Sequence, residues 1–78
     1  MIEEVQQLAE IRAEMVANVW KLVAAEGSAV DVGDEICVLE SMKMEIPVVA
    51  ETAGVLARIA VAEGDAVQEG DLIAVVES

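Results

Sequence analysis

The sequence predicts an all-β domain, a sandwich or small barrel built from two similar halves packed face to face. The chain is 56% hydrophobic but contains one aromatic residue, so its core must be built from Val, Ile, Leu, Ala and Met, a composition rich in strand-forming residues. Apolar and polar residues alternate in short segments separated by glycines. A long segment is repeated, and neither copy is large enough to bury a core alone.

The strand pattern starts at about Ile11 and continues to the end of the chain. Residues 1–10 carry several Glu and Gln with weak helical periodicity, and we interpret them as a flexible or short helical lead-in outside the core. The first strand is expected from Ile11 to about Val16, and the second over residues 19–23. The predicted division is therefore a lead-in over 1–10 and a single domain over 11–78.

An internal repeat is the strongest sign of how the chain is organised. Residues 25–41 return as residues 62–78, an offset of about 37 residues, with roughly two-thirds of the paired positions identical. Each copy has a glycine, a short Val-centred strand, a Gly-Asp pair and a longer apolar strand. The glycines permit the positive φ of a chain reversal, and Asp accepts hydrogen bonds from its local backbone. Approximate two-fold packing of the copies would bury a shared core.

A tight hairpin centred on Met42 and Lys43 is predicted where the first copy ends. The flanking apolar residues alternate, and a two-residue turn places Leu39 opposite Ile46 on the buried face. The second copy stops at Ser78, the equivalent of the residue before this turn. We therefore expect Lys43 at one end of the molecule and both chain termini near the opposite end.

Two local rules are broken at this hairpin. A two-residue turn favours Asn-Gly or Asp-Gly because its centre needs positive φ, and this chain has Met42 and Lys43 there. The same register sets Glu40 directly opposite Glu45, a like-charge pair that is unfavourable. Local conflicts in an otherwise consistent sequence point to a functional site. The alternative is a solvated turn in which methionine fills a gap.

Composition excludes several functions and narrows the chemistry. The net charge of −12 argues against nucleic-acid and anionic-membrane partners. There is no His and one cysteine, Cys37, which is expected to be a buried, inert thiol. An unpaired cysteine, no basic-then-apolar leader and no run long enough to span a bilayer favour a cytoplasmic protein. Lysine chemistry has two possible positions, Lys21 and Lys43, and Trp20 is expected to pack in the core or its shell, covered by the stem of Lys21.

The duplicated β domain and its central motif resemble the biotinyl/lipoyl attachment family over residues 11–78. The motif is Glu40-Ser41-Met42-Lys43-Met44-Glu45. Methionine on both sides of the lysine is similar to the biotin branch of the family, whereas lipoyl acceptors usually carry Asp-Lys-Ala. The chain length resembles that of a small free-standing biotin carboxyl carrier. By this resemblance the fold is a flattened barrel of two four-stranded antiparallel sheets.

The resemblance implies that Lys43 carries covalent biotin at an exposed hairpin tip. A biotin–protein ligase would transfer biotin from biotinyl-AMP to the lysine amine. The swinging arm would then carry carboxyl groups from a biotin carboxylase to a carboxyltransferase, and this chain would be a non-catalytic subunit of that multi-component carboxylase. The flanking residues Glu40, Ser41, Met42, Met44 and Glu45 would serve in recognition. For the two methionines the alternative is capping the core, and for the two glutamates it is simple solvation.

The chain departs from the family pattern in places. Residues 14–17 read Glu-Met-Val-Ala where the family often has Pro-Met-Pro-Gly, and we expect this segment to lie away from the lysine. No insertion resembling the protruding thumb of some carriers is present. Pro47 follows the motif, as in many biotinyl domains. It lacks an N–H, so it is expected on an edge or at a position that forms no backbone hydrogen bond.

Two other functions stay open on the sequence. A lipoyl-type carrier would serve acyl transfer, and the methionines at 42 and 44 argue against it. An unmodified acidic interaction module would use the same fold without a cofactor. An enzyme in its own right is disfavoured, because the chain has no His, no nucleophile with an adjacent base and no phosphate-binding loop.

Overall fold

In a computed structural model of the protein, the structure describes residues 7–78. Eight β-strands are present in this part of the chain. They are β1 Leu8–Arg12, β2 Ala17–Leu22, β3 Ala29–Val30, β4 Glu35–Ser41, β5 Met44–Val49, β6 Gly54–Ile59, β7 Ala66–Val67 and β8 Leu72–Glu77. Within residues 7–78, no helix is long and apolar enough to cross a membrane.

The strands form two four-stranded sheets, which confirms the predicted all-β fold. The first sheet has the order β1-β8-β6-β3 and the second has the order β5-β4-β2-β7. Every neighbouring pair is antiparallel. Strands that follow one another in the chain often lie in different sheets, so the two halves interlock around one core.

The internal duplication is visible in the strand register. Asn18 of β2 pairs with Glu40 of β4, and at an offset of about 37 residues Val55 of β6 pairs with Glu77 of β8. Strand β1 takes the position in the first sheet that β5 takes in the second. The structural repeat therefore extends further than the sequence repeat, to residues 8–41 and 45–78.

Glycine turns of one kind punctuate both copies. Gly70 has a φ of 91°, which favours glycine because a side chain crowds the backbone there. The carboxylate of Asp71 then accepts a hydrogen bond of 2.9 Å from the backbone N–H of Gln68. Gly33 has the same φ of 91°, and Asp34 accepts an equivalent bond. The roles predicted for the Gly-Asp pairs are confirmed.

The core lies between the sheets and is entirely apolar. Its buried members are Ala13, Ala17, Val19, Val30, Ile36, Cys37, Leu39, Ala50, Leu56, Val67, Ile73, Ala74 and Val76. The prediction that Cys37 is buried is confirmed, and burial raises the pKa of its thiol to about 11. The thiol therefore stays protonated and unreactive at neutral pH.

The amino-terminal prediction needs a correction where the structure describes it. Strand β1 already begins at Leu8 and pairs with β8 from that residue, so residues 8–10 belong to a strand and not to a helix. The boundary expected at residue 10 falls inside β1, and the predicted first strand ends at Arg12 and not near Val16. The part of the lead-in over 1–6 lies outside the described residues.

The prediction for Trp20 is wrong: this residue is 51% exposed on the outer face of the second sheet. The pairing of β2 with β4 shifts register between Val19 and Lys21, which places Trp20 in a β-bulge. Because a bulge puts two residues opposite one, Trp20 and Lys21 are both exposed while Val19 stays in the core.

Candidate functional site

The hairpin between β4 and β5 has the register predicted from the sequence. Leu39 pairs with Ile46, and Ser41 pairs with Met44 to leave a two-residue turn. Leu39 is buried and Ile46 packs against the core, so the hairpin is anchored along its inner face.

The turn holds its two central residues in an unusual backbone conformation. Met42 has a φ of 51° and Lys43 has a φ of 65°. Positive φ at both central positions is typical of a type I′ turn, whose twist matches that of the flanking strands. Among residues 7–78, these are the two non-glycine residues with positive φ. The local conflict expected from the sequence is therefore real, because neither side chain is well suited to this conformation.

The side chains of the turn extend into solvent. Met42 is 92% exposed and Met44 is 63% exposed, so the structure does not support a role for Met42 in capping the core. Lys43 is exposed as well. Within residues 7–78, the one ion pair joins Arg12 to Glu10, which leaves the Lys43 amine without a carboxylate partner there.

A row of polar side chains crosses three strands below the turn. Glu40 of β4 lies opposite Glu45 of β5 on one side and opposite Asn18 of β2 on the other. Both glutamates are exposed, so solvent screens their repulsion without removing it. The predicted like-charge pair is present, and it places two carboxylates beside the base of the lysine turn.

The turn lies at the end of the molecule opposite the described chain ends. Strand β7 pairs with β2 at Ala17, next to the turn, and β8 starts five residues after β7 and runs away from this end. At the far end, the backbone N–H of Ser78 donates to the carbonyl of Gln7 at 3.0 Å. This arrangement confirms the predicted placement of Lys43 relative to the described ends.

One expectation about this region is wrong. The segment over residues 14–17, expected to lie away from the lysine, enters β2 at Ala17. The next residue, Asn18, is level with Glu40 in the register of β2 and β4. The departure from the family pattern at 14–17 therefore falls at the same end of the molecule as Lys43.

The sequence did not reveal an apolar strip on the outer face of the lysine-bearing sheet. Pro47 of β5 pairs with Val38 of β4, and the β-bulge of β2 at Trp20 lies beside Val38 on its other side. Pro47 is exposed on an edge strand as predicted. The signal in the sequence was the mismatch between the two copies, since Ala57 stands where the first copy has Trp20.

The site can present a primary amine to another protein. A primary amine on an exposed turn is suited to forming an amide with a carboxyl group delivered by another protein, and the hairpin behind it is rigidly anchored. Within residues 7–78 no three His, Cys, Asp or Glu side chains are grouped so as to hold a metal ion. The arrangement leaves the Lys43 amine accessible to another protein.

Comparison with known proteins places these features in context. Residues 6–76 match the Biotin_lipoyl family, described as "Biotin-requiring enzyme". A relative from Mycobacterium leprae, "Biotinylated protein TB7.3 homolog", is 51% identical over 48 residues, which are 62% of this chain and 68% of the relative. A relative from Mycobacterium bovis, "Biotinylated protein TB7.3", is 56% identical over 41 residues, which are 53% of this chain and 58% of the relative.

Two solved structures share the fold. A domain of the urea carboxylase of Kluyveromyces lactis superposes with a TM-score of 0.85 at 36% identity, over 96% of this chain and 7% of that one. The lipoyl domain of the 2-oxoglutarate dehydrogenase complex of Azotobacter vinelandii superposes with a TM-score of 0.70 at 28% identity, over 87% of this chain and 95% of that domain. The first similarity is the stronger one in both measures.

Proposed function

The chain belongs to the Biotin_lipoyl family of biotin-requiring enzymes, and from that premise we propose that it is a biotin carboxyl carrier whose biotin is attached to Lys43. The observation that carries the proposal is the turn itself. It places an exposed lysine between two methionines, with Met42 and Lys43 at positive φ. It is also the segment that joins the two structural copies, so the internal symmetry supplies no equivalent of it.

The attachment step asks little of this chain. The Lys43 ammonium loses a proton, and its Nζ forms an amide bond to the biotin carboxyl carbon while AMP leaves from biotinyl-AMP. The activated acyl group, and the base or the desolvation that frees the amine of its proton, come from a biotin–protein ligase. The chain contributes presentation, because the anchored hairpin fixes where the amine lies. The neighbours available for recognition are the exposed Glu40, Met42, Met44 and Glu45 and the half-buried Ser41.

Once attached, biotin supplies the ring nitrogen that accepts and gives up a carboxyl group. The domain would hold that ring on a flexible arm within reach of a biotin carboxylase and then a carboxyltransferase, at an effective concentration of about millimolar at either site. The acidic net charge of −12 would favour docking to basic surfaces on these partners. We place the protein in the cytoplasm, supported by its unpaired Cys37.

A lipoyl carrier is the second candidate, favoured by the similarity to the Azotobacter lipoyl domain. The two candidates differ in the group added to Lys43 and in the ligase that adds it. Methionine at 42 and 44 supports the biotin assignment, as do the relatives named as biotinylated proteins.

The experiment compares modification and carboxyl transfer. The purified chain is incubated in parallel with a biotin–protein ligase and biotin, or with a lipoate ligase and lipoate, each with ATP. The biotinylated product is then given a biotin carboxylase, ATP and labelled bicarbonate. We expect a biotinyl gain and label bound to the protein. A lipoyl gain alone would support the acyl carrier, and no gain with either ligase would support an unmodified interaction module.

A further inference from the structure

We propose that the apolar strip on the outer face of the lysine-bearing sheet is a resting site for the neutral bicyclic ring carried by Lys43. The inference rests on the proposed function, because it needs biotin on that lysine. The strip consists of Trp20, Val38 and Pro47, which we call the Trp20 strip. Val38 of β4 pairs with Pro47 of β5 on one side and with Lys21 of β2 on the other, and Trp20 lies beside Lys21 in the β-bulge opposite Val38.

The internal symmetry separates what the fold requires from what is added to it. In the other sheet, the positions equivalent to the Trp20 strip are Ala57, Val75 and Glu10, because β6, β8 and β1 repeat the register of β2, β4 and β5. Val75 pairs with Glu10 and with Arg58, and Ala57 lies in the bulge beside Arg58. That sheet folds and packs in the same way with a small residue and a charge at those positions. The exposed tryptophan is therefore not needed to form a sheet, and it lies on the sheet that carries Lys43.

The exposure of Trp20 is large for an aromatic residue. Its side chain is 51% exposed, and half of a large aromatic surface in contact with water is unfavourable. Val19 before it is buried, so the β-bulge turns Trp20 outward while leaving the core intact. Such an exposed aromatic surface, next to apolar neighbours, marks a contact site.

The strip lies within reach of a group attached to Lys43. Val38 is three residues before Ser41, the last residue of β4, so with about 3.3 Å per residue the strip begins roughly 10–15 Å from the turn. A biotinyl-lysine arm has about eleven bonds between Cα and the ring, one of them the amide, and extends about 14 Å. The ring can therefore fold back onto the Trp20 strip.

The chemistry of the strip matches the ring. The bicyclic group contains a thioether and aliphatic C–H groups, which make favourable contacts with an aromatic face. It is neutral, so Glu40 and Glu45, which lie between the turn and the strip, do not repel it. The contact is weak and tethered, so the ring occupies the strip part of the time and leaves for a partner site without a large barrier.

Trp20 is also the reporter that tests the inference. It is the one Trp in a chain without Tyr or Phe, so intrinsic fluorescence monitors this position alone. We expect biotinylation to shift the emission to the blue and to lower the acrylamide quenching constant by roughly a quarter to a half, as expected for partial occupancy of a tethered site. Intact mass and peptide mapping establish independently that biotin is on Lys43.

Two variants serve as controls. Lys43→Gln removes the positive charge without adding a ring, and its fluorescence should match that of the unmodified protein. The double variant Trp20→Ala/Ala57→Trp moves the tryptophan to the equivalent exposed position on the other sheet. Its quenching should be the same before and after biotinylation, and far-UV circular dichroism verifies that it is folded.

The outcomes separate this inference from the proposed function. Unchanged Trp20 quenching on protein with biotin mapped to Lys43 would overturn the resting site and leave the carrier function standing. Quenching that instead changes when a biotin carboxylase is added would assign the strip to protein docking. An equal decrease in the double variant would also overturn the inference. Failure to gain biotin mass would overturn both proposals.

Discussion

The hairpin turn lowers the stability of the folded protein, because Met42 and Lys43 both have left-handed backbone conformations. A residue better suited to that conformation should raise the free energy of unfolding. A residue with a Cβ loses roughly 1–2 kcal/mol there, and Asn loses less because its short side chain bonds locally. Met42 is 92% exposed, and full burial of Met is worth about 1.5–3 kcal/mol, so removing it forfeits about 0.2 kcal/mol. Met42→Asn should therefore raise the free energy of unfolding by about 1 kcal/mol.

Thermal unfolding followed by circular dichroism measures this change. A gain of about 1 kcal/mol raises the Tm of a domain of this size by about 4–8 °C. The matched control is Met44→Asn, which removes another exposed methionine of the tip from a strand position, where Asn is disfavoured; its Tm should fall slightly. A lower Tm for Met42→Asn, or shifts of the same sign and size in both variants, would refute the argument from backbone strain.

Further predictions concern the glycine turns, the glutamate pair and the buried thiol. Gly33→Ala and Gly70→Ala should each lower the free energy of unfolding by about 1–2 kcal/mol, because both glycines have a φ of 91°. An added Cβ would meet open space at either position, so the loss comes from the backbone conformation alone. Clearly unequal losses would contradict the structural symmetry. Glu45→Gln should raise stability by about 0.5 kcal/mol by removing the charge opposite Glu40, with a gain that shrinks as salt increases; a stability loss would contradict this. The folded-state pKa of Cys37 is raised to about 11, so burying the protonated thiol should stabilise the fold fully below about pH 8.5, the usual thiol pKa. That contribution to the free energy of unfolding should be lost as the pH rises towards 11. A thiol reagent at pH 8 should label Cys37 only when the protein has unfolded. Rapid labelling of the folded protein would contradict the burial of Cys37.

Much of the fold follows from patterns that the sequence displays openly. The Gly-Asp pairs are conspicuous because a turn with positive φ and a local carboxylate acceptor tolerates few other residues. The hairpin register follows from alternation, since a slip of one residue would expose Leu39. These constraints are local, so a single sequence carries them.

The features that the sequence did not predict depend on long-range pairing. Strand β1 was missed at Leu8–Glu10 because its partner is β8, at the other end of the chain, and an edge strand needs little apolar content of its own. The exposure of Trp20 depends on a β-bulge formed against β4, which alternation alone does not predict. The position of residues 14–17 near the turn likewise follows from the pairing of Asn18 with Glu40.

The site was predictable for the same reason that it is unusual. Met42 and Lys43 occupy turn positions that favour Asn and Gly, and the structure keeps them there at positive φ. Both copies follow the usual sequence preferences of strands and turns, and this hairpin turn departs from them. Such a local departure points to a position where the residues serve function and not stability.

The most direct test of the account is to map the biotin. The chain has two lysines, Lys21 and Lys43, both exposed on the same sheet or its turn, so Lys21→Arg is a matched control for Lys43→Arg. Each protein is incubated with a biotin–protein ligase, biotin and ATP, and its intact mass and peptides are measured. We expect one biotinyl group on Lys43 in the unsubstituted protein and in Lys21→Arg, and none in a folded Lys43→Arg. Biotin on Lys21, or biotin that persists in Lys43→Arg, would contradict it.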